Sequence, residues 1–236
     1  MEAADIKGLL GLLLVDGSLN QYRTPRGGYV QLTLTGGVTE AAFLGEKVAE
    51  FRQFIPTKAE IVPYQTAARY RKTPNAAGEL DDRPRHTTVL RFRVSTNKLR
   101  PVFNLLYPDG TREITQSVLA MLGGKAAAWT WAEGGRLFPD GTSELARCGT
   151  TTDEALRISQ WLEMLTGAKG DLQSALVKPR LSFDEEGTEK IKRVLLPYAP
   201  QSRLHLFDDS VHQDGTELVP GQGEHQPARQ QAAAMA

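Results

Sequence analysis

At 236 residues and 40% hydrophobic content, the chain can bury a sizeable core, as one large domain or two small fused ones. A single cysteine, Cys148, excludes an internal disulfide framework, and the four histidines (His86, His205, His212, His225) lack the spacing of zinc ligands. The formal net charge of zero averages unlike regions: residues 58–100 hold ten basic and four acidic residues, whereas 204–236 hold one Arg against five acids. Such a basic segment is compatible with a polyanion-facing surface and, equally, with a solvated positive face. The opening MEAADIKGLL lacks the basic flank of a secretory signal, and no apolar run reaches the roughly 18–20 residues that span a bilayer. A soluble intracellular protein with no membrane partner is expected.

In chain order, the first element is an apolar helix over about 5–16, LLGLLLVDG, closing on Asp16-Gly17. The Gly/Pro-containing QYRTPRGG reads as a loop. Tyr29–Thr35 alternates strictly, with Val30, Leu32 and Leu34 on one face and Tyr29, Gln31, Thr33 and Thr35 on the other, the pattern of a half-buried strand. Thr39 and Glu40 can cap a helix running to about Ile55, with Phe43, Leu44, Val48, Phe51 and Ile55 on its buried stripe. Strand-like segments follow at Ile61–Thr73 and Thr87–Thr96, joined by a polar loop with Asn75, Gly78 and Pro84. In the second of them Leu90, Phe92 and Val94 face one way, and Arg91, Arg93 and Ser95 the other.

Helical segments near 98–106 and 112–122 lead to a second apolar helix, about 124–133, whose AAAWTWAEG closes on Glu133-Gly134. A strand near Ser143–Thr150, a helix from Thr152 to Gly167, strand material at 171–183 and a helix from about Glu185 to Leu196 complete the order. Each half thus reads helix, two strands, helix, two strands, helix. From about 208 the sequence is polar, rich in Gly, Pro, Gln and Ala, and without periodicity, which predicts a disordered tail. The predicted division is 1–118, 119–207 and the tail 208–236.

The repeated acid-glycine ending carries the chemistry. A carboxylate at the end of a buried helix is costly unless a charge or a metal partners it. Two such helices half a chain apart suggest a duplicated module that brings Asp16 and Glu133 to one seam, as a divalent-metal site. Asp16 could alternatively cap a turn, and Glu133 could be a solvent-facing acid in an altered copy. Trp129 and Trp131 read as packing residues, and Cys148 as a small buried strand residue.

With this order and its repetition, the motif pair resembles the LAGLIDADG homing endonucleases of the single-chain, two-motif type. The resemblance extends to Asn104–Ile114 (NLLYPDGTREI) and to 195–207 (LLPYAPQSRLHLF), and covers about residues 5–207. It implies an α+β fold: a duplicated αββαββα unit whose two pseudo-twofold-related halves each carry an antiparallel, saddle-shaped sheet. The motif helices would pack side by side, with Gly11 and Ala128 at equivalent third positions near the crossing. Asp16 and Glu133, helped by the carbonyls of Val15 and Ala132, would bind Mg²⁺, for which Ca²⁺ or Mn²⁺ can substitute. The ion would activate water and stabilise the leaving oxygen.

The resemblance further implies that the outward sheet faces enter the major groove of double-stranded DNA. The readers would be Gln31, Thr33, Arg69, Arg71, Arg91 and Arg93 on the first sheet, and Arg147, Lys178 and Arg180 on the second. Lys178, Arg93 and Arg180 could instead neutralise the scissile phosphates, which adds Lys178 and Arg93 to Asp16 and Glu133 as catalytic candidates. The implied protein is a monomeric, intron-encoded or free-standing nuclease. Scarce Asn and abundant Ala, Gly and Arg favour the cytoplasm of a bacterial or phage host over an AT-rich organelle. The alternatives are a cleavage-inactive relative acting as an intron RNA maturase or DNA-binding regulator, and a metalloenzyme unrelated to nucleic acid.

Overall fold

A computed structural model describes residues 2–25, 27–66, 87–173 and 178–211. Strand expectations beyond Thr66, the readers Arg69 and Arg71, His86, and the tail from His212 onward lie outside these residues. Within them the order is α1 (Ala3–Leu13), β1 (Ser18–Thr24), β2 (Gly27–Gly36), α2 (Ala41–Phe54), β3 (Ile61–Gln65), β4 (Thr88–Thr96), α3 (Arg100–Leu106) and α4 (Gln116–Leu119). There follow α5 (Gly124–Gly134), β5 (Gly135–Leu137), β6 (Ser143–Leu145), α6 (Thr152–Thr166), β7 (Asp171–Gln173), β8 (Arg180–Phe183) and α7 (Glu185–Leu195). Two antiparallel four-stranded sheets, ordered β1-β2-β4-β3 and β5-β6-β8-β7, repeat one topology. The duplicated αββαββα expectation is realised.

The core is one continuous cluster joining both halves. The inward alternates of β2 and β4, Val30, Leu32, Leu34 and Phe92, are fully buried, together with Leu9, Leu10 and Leu14 of the first motif and Trp131 of the second. Helices α1 and α5 pack against each other. Gly11 allows this: a β-carbon there would lie 2.7 Å from Ala126 Cβ. The close approach is therefore from Gly11, third in its motif, to Ala126, first in the other.

Three expectations are corrected. QYRTPRGG is no loop at its start: Ser18–Thr24 is strand β1, paired with β2 in the register Asn20 to Gln31 and Tyr22 to Tyr29. It is an edge strand with only Leu19 buried, so it has no period-two signal to read. The helix expected over 112–122 shrinks to Gln116–Leu119, capped by the Thr115 hydroxyl. Strand β6 stops at Leu145, leaving Arg147 and the buried Cys148 in the bend that follows. In the segment assigned to the tail, Asp209 is described, and its carboxylate binds Lys192 on α7 at 2.8 Å.

Candidate metal centre and nucleic-acid interface

The α1 helix ends at Leu13, and the chain turns through Asp16 into β1 at Gly17, which takes φ +79°, a left-handed conformation suited to glycine. In the second motif the helix continues through Gly134, where a β-carbon would lie 2.8 Å from the Arg147 backbone nitrogen. The two motif glycines serve different purposes, a turn in one copy and a close approach in the other. Both leave the acid before them pointing into the same seam.

There Asp16 and Glu133 meet one cation, the ammonium of Lys47 on α2. Lys47 Nζ donates to Asp16 Oδ2 and, at 2.5 Å, to Glu133 Oε2. On the other side Arg147 Nη1 donates to Glu133 Oε1 and stands 3.8 Å from Asp16 Oδ1. All four carboxylate oxygens thus face a cation, and two acids balance two bases. The Lys47 side chain is 3% exposed, whereas that of Arg147 is 54% exposed. Lys47 lies among Phe43, Leu44, Val48 and Phe51, with its ammonium 5.1 Å from the Phe43 ring centre. A buried ammonium in apolar surroundings is tolerable only when paired, and here two carboxylates pair it. Burial pushes the Glu133 carboxyl above its ordinary value, as does the Asp16 charge, against the pull of Lys47 and Arg147.

The donor set suits a hard divalent cation. Two carboxylates, one just beyond α1 and one in the last turn of α5, converge on the position where Lys47 Nζ stands. Magnesium needs few protein oxygens because it retains water. Among the described residues no group of three or more His, Cys, Asp or Glu is placed to hold a metal ion.

The Arg112 guanidinium clamps the segment that carries Asp16. It donates to Gly17 O at 2.7 Å, Leu13 O at 2.5 Å and Leu14 O at 3.0 Å. The Leu13 and Leu14 carbonyls are left over at a helix end, where a cation is favourable, and that of Gly17 belongs to the turn that follows. Val15, partly buried between them, lines an open cavity with Arg112, Arg147 and Lys178. Ala132 is buried in the last turn of α5. Trp131 is fully buried with its indole N–H on Leu206 O at 3.3 Å, and Trp129 stacks on Phe43, so both pack as expected.

The candidate readers are scattered more widely. Gln31 donates to Ser95 Oγ at 3.0 Å, Thr33 pairs with Arg93 across the β2–β4 ladder, and Arg91 lies 3.6 Å over the Tyr64 ring. Arg93 sits on the outward face of β4, whereas Arg147 turns into the carboxylate pair. Lys178 lies in the bend before β8, and Arg180 Nη1 holds Glu144 at 3.2 Å. Sequence reading missed Lys47 and Arg112. A lysine at the 43-44-47-48-51 spacing of an apolar helix face was the available signal for the first. An arginine in the repeated Tyr-x4-Arg pattern (Tyr107 to Arg112, Tyr198 to Arg203) was the signal for the second.

These features define the class: the fold is that of the LAGLIDADG homing endonucleases. No family model and no curated protein matches the sequence. Among solved structures the chain is similar to the homing endonuclease I-WcaI bound to its DNA recognition sequence. The TM-score is 0.62 at 12% identity, over 86% of this chain and 85% of that one. It is also similar to I-DmoI in complex with DNA and Mn, with a TM-score of 0.49 at 14% identity, over 82% and 98% of the two chains. A mesophilic variant of I-DmoI gives 0.49 at 14% identity over 81% and 88%.

Proposed function

We propose that the chain is a site-specific double-strand DNA endonuclease that hydrolyses phosphodiesters with Mg²⁺ and acts as a monomer. The observation that carries this is the convergence of Asp16 and Glu133, from two repeated motifs of one chain, on a single cation position. One chain supplies both acids, so no second copy is needed to complete the centre.

In this reading Asp16 and Glu133 hold the ion, with the carbonyls of Val15 and Ala132 as further oxygens. The bound ion supplies an activated water and stabilises the leaving oxygen. Lys47 bridges the two carboxylates and would have to leave that position for them to hold an ion. Arg147, half exposed beside Glu133, is positioned to hold a phosphate oxygen. Lys178 lines the same cavity as Arg147 and adds positive charge there, while Arg93 faces the duplex from β4. The likeness to I-WcaI, whose structure holds its DNA recognition sequence, supports the reading.

The test is selection from a randomised duplex library in Mg²⁺ and in Ca²⁺. Retention in both and cutting in Mg²⁺ alone is expected, and Asp16→Asn should remove cutting while preserving retention. If nothing is retained, or if the variant cuts like the wild type, the proposal fails. A second reading, a duplex-binding protein that no longer cuts, is favoured by one observation: every oxygen of the carboxylate pair already faces a protein cation. Retention without cutting in Mg²⁺ would select it.

A further inference from the structure

The two sheets are unequal. Strands β1–β4 contain 7, 10, 5 and 9 residues and no Asp or Glu; they carry Arg23, Arg91 and Arg93. Strands β5–β8 contain 3, 3, 3 and 4 residues and carry two acids, Glu144 and Asp171, against two bases, Arg136 and Arg180. Both of those arginines turn to Glu144, Arg180 at 3.2 Å and Arg136 at 3.9 Å. Glu144 is partly buried on β6 between the inward Ser143 and Leu145, so it shares the outward face with the two arginines. Among the described residues no carboxylate engages Arg91 or Arg93; Arg91 stacks on Tyr64 instead.

From this asymmetry we infer that, given the duplex-binding reading above, the N-terminal sheet is the main anchor on DNA. Glu144 holds the C-terminal sheet's arginines away from phosphate. The geometry sets the scale. At roughly 3.3 Å per residue, the ten-residue β2 spans about 33 Å, or about ten base pairs at roughly 3.4 Å each. The four-residue β8 spans about 13 Å, or about four base pairs. Each arginine free to meet phosphate releases counterions and steepens the salt dependence of binding by about 0.9 in log–log slope. Among the described residues the first sheet's Arg91 and Arg93 meet no carboxylate, whereas both of the second sheet's arginines turn to Glu144.

The experiment uses the full chain and a duplex recovered from the library in Ca²⁺. A hydroxyl-radical footprint should protect about ten base pairs on one side of its centre and about four on the other. Glu144→Gln, which frees Arg136 and Arg180, should tighten binding and steepen the slope by about 0.9 for each phosphate then neutralised. That is roughly a 3.5-fold larger change in Kd between about 50 and 200 mM salt. Arg93→Ala should make the slope shallower by about the same amount. A symmetric footprint overturns the inequality alone, and it needs no variant to fold. Unchanged or weaker binding by a folded Glu144→Gln would also overturn it. Failure of the wild-type chain to retain any duplex would instead overturn the duplex-binding reading, and this inference with it.

Discussion

Lys47 and Trp161 occupy corresponding places in the two halves. Each lies seven residues beyond a glutamate whose carboxylate accepts the backbone N–H three residues before it: Glu40 from Gly37, and Glu154 from Thr151. One position became an ion that reaches the carboxylate pair. The other became a packed indole, 1% exposed, donating to Leu122 O at 3.2 Å. The repeat copies a backbone path, and the seam between the copies needs only one internal cation. With Arg147 arriving from the end of β6, two acids already meet two bases. A second lysine at position 161 would bring uncompensated charge into the core.

The largest expected effect separates these two positions by mechanism. Trp161→Ala leaves a large cavity and should cost about 3–5 kcal/mol, lowering Tm by roughly 10 °C whether or not divalent ions are present. Lys47→Met should cost a comparable amount, about 3 kcal/mol, because it strands two buried carboxylates. Its loss should be largely recovered in millimolar Ca²⁺, since an ion bound only by the folded chain stabilises it. Thermal melts with and without Ca²⁺ decide the matter; equal Ca²⁺ responses in the two variants would erase the distinction.

The capping glutamates give a middle effect and a small one. Glu154 is 3% exposed and accepts from Ile114 N at 2.7 Å, Thr150 N at 2.6 Å, the Thr150 hydroxyl at 2.8 Å and Thr151 N at 3.2 Å. Burial alone would raise its pKa, but the Thr150 and Ile114 N–H groups, the Thr150 hydroxyl and the Thr151 N–H together hold it below the ordinary value. Its contribution is therefore present above the usual glutamate pKa of 4.5 and is lost as pH falls through the depressed one. Glu154→Gln should cost about 2 kcal/mol at neutral pH and flatten the acid limb of a stability–pH profile. An unflattened limb would assign the stabilisation to something other than the charge. Glu40, whose side chain is 46% exposed, pairs with Arg203 at 2.6 Å, and solvent screens that pair. Glu40→Gln should change stability by less than about 1 kcal/mol in urea titrations. A loss equal to that of Glu154→Gln would restore the symmetry of the two caps.

The architecture was readable because its determinants are local. Val30, Leu32 and Leu34 alternate, Phe43 to Ile55 recur at helical spacing, and an acid closes each apolar motif run. What escaped was either short or dependent on distant contacts. Strand β1 buries one residue, and β5 is three residues long, too short to show a period. Arg147 reads as a strand alternate, yet the strand ends two residues earlier and frees the guanidinium to turn inward. Lys47 stood in plain view on an apolar stripe, but its partners lie 31 and 86 residues away. Only the fold brings such groups together.

The two closing segments cross over. Ile114 N–H and O bind Glu154 and Arg157 of α6, whereas Ser202 N–H and Arg203 bind Glu46 and Glu40 in and beside α2. Each half therefore ends in a strap buckled onto the other. Severing the chain between Thr115 and Gly123 would give two pieces, each carrying the fastening of its neighbour and lacking its own. Such pieces should associate tightly when mixed and fare poorly apart, and the intact chain should melt in a single step. The module is doubled in sequence but indivisible in mechanics.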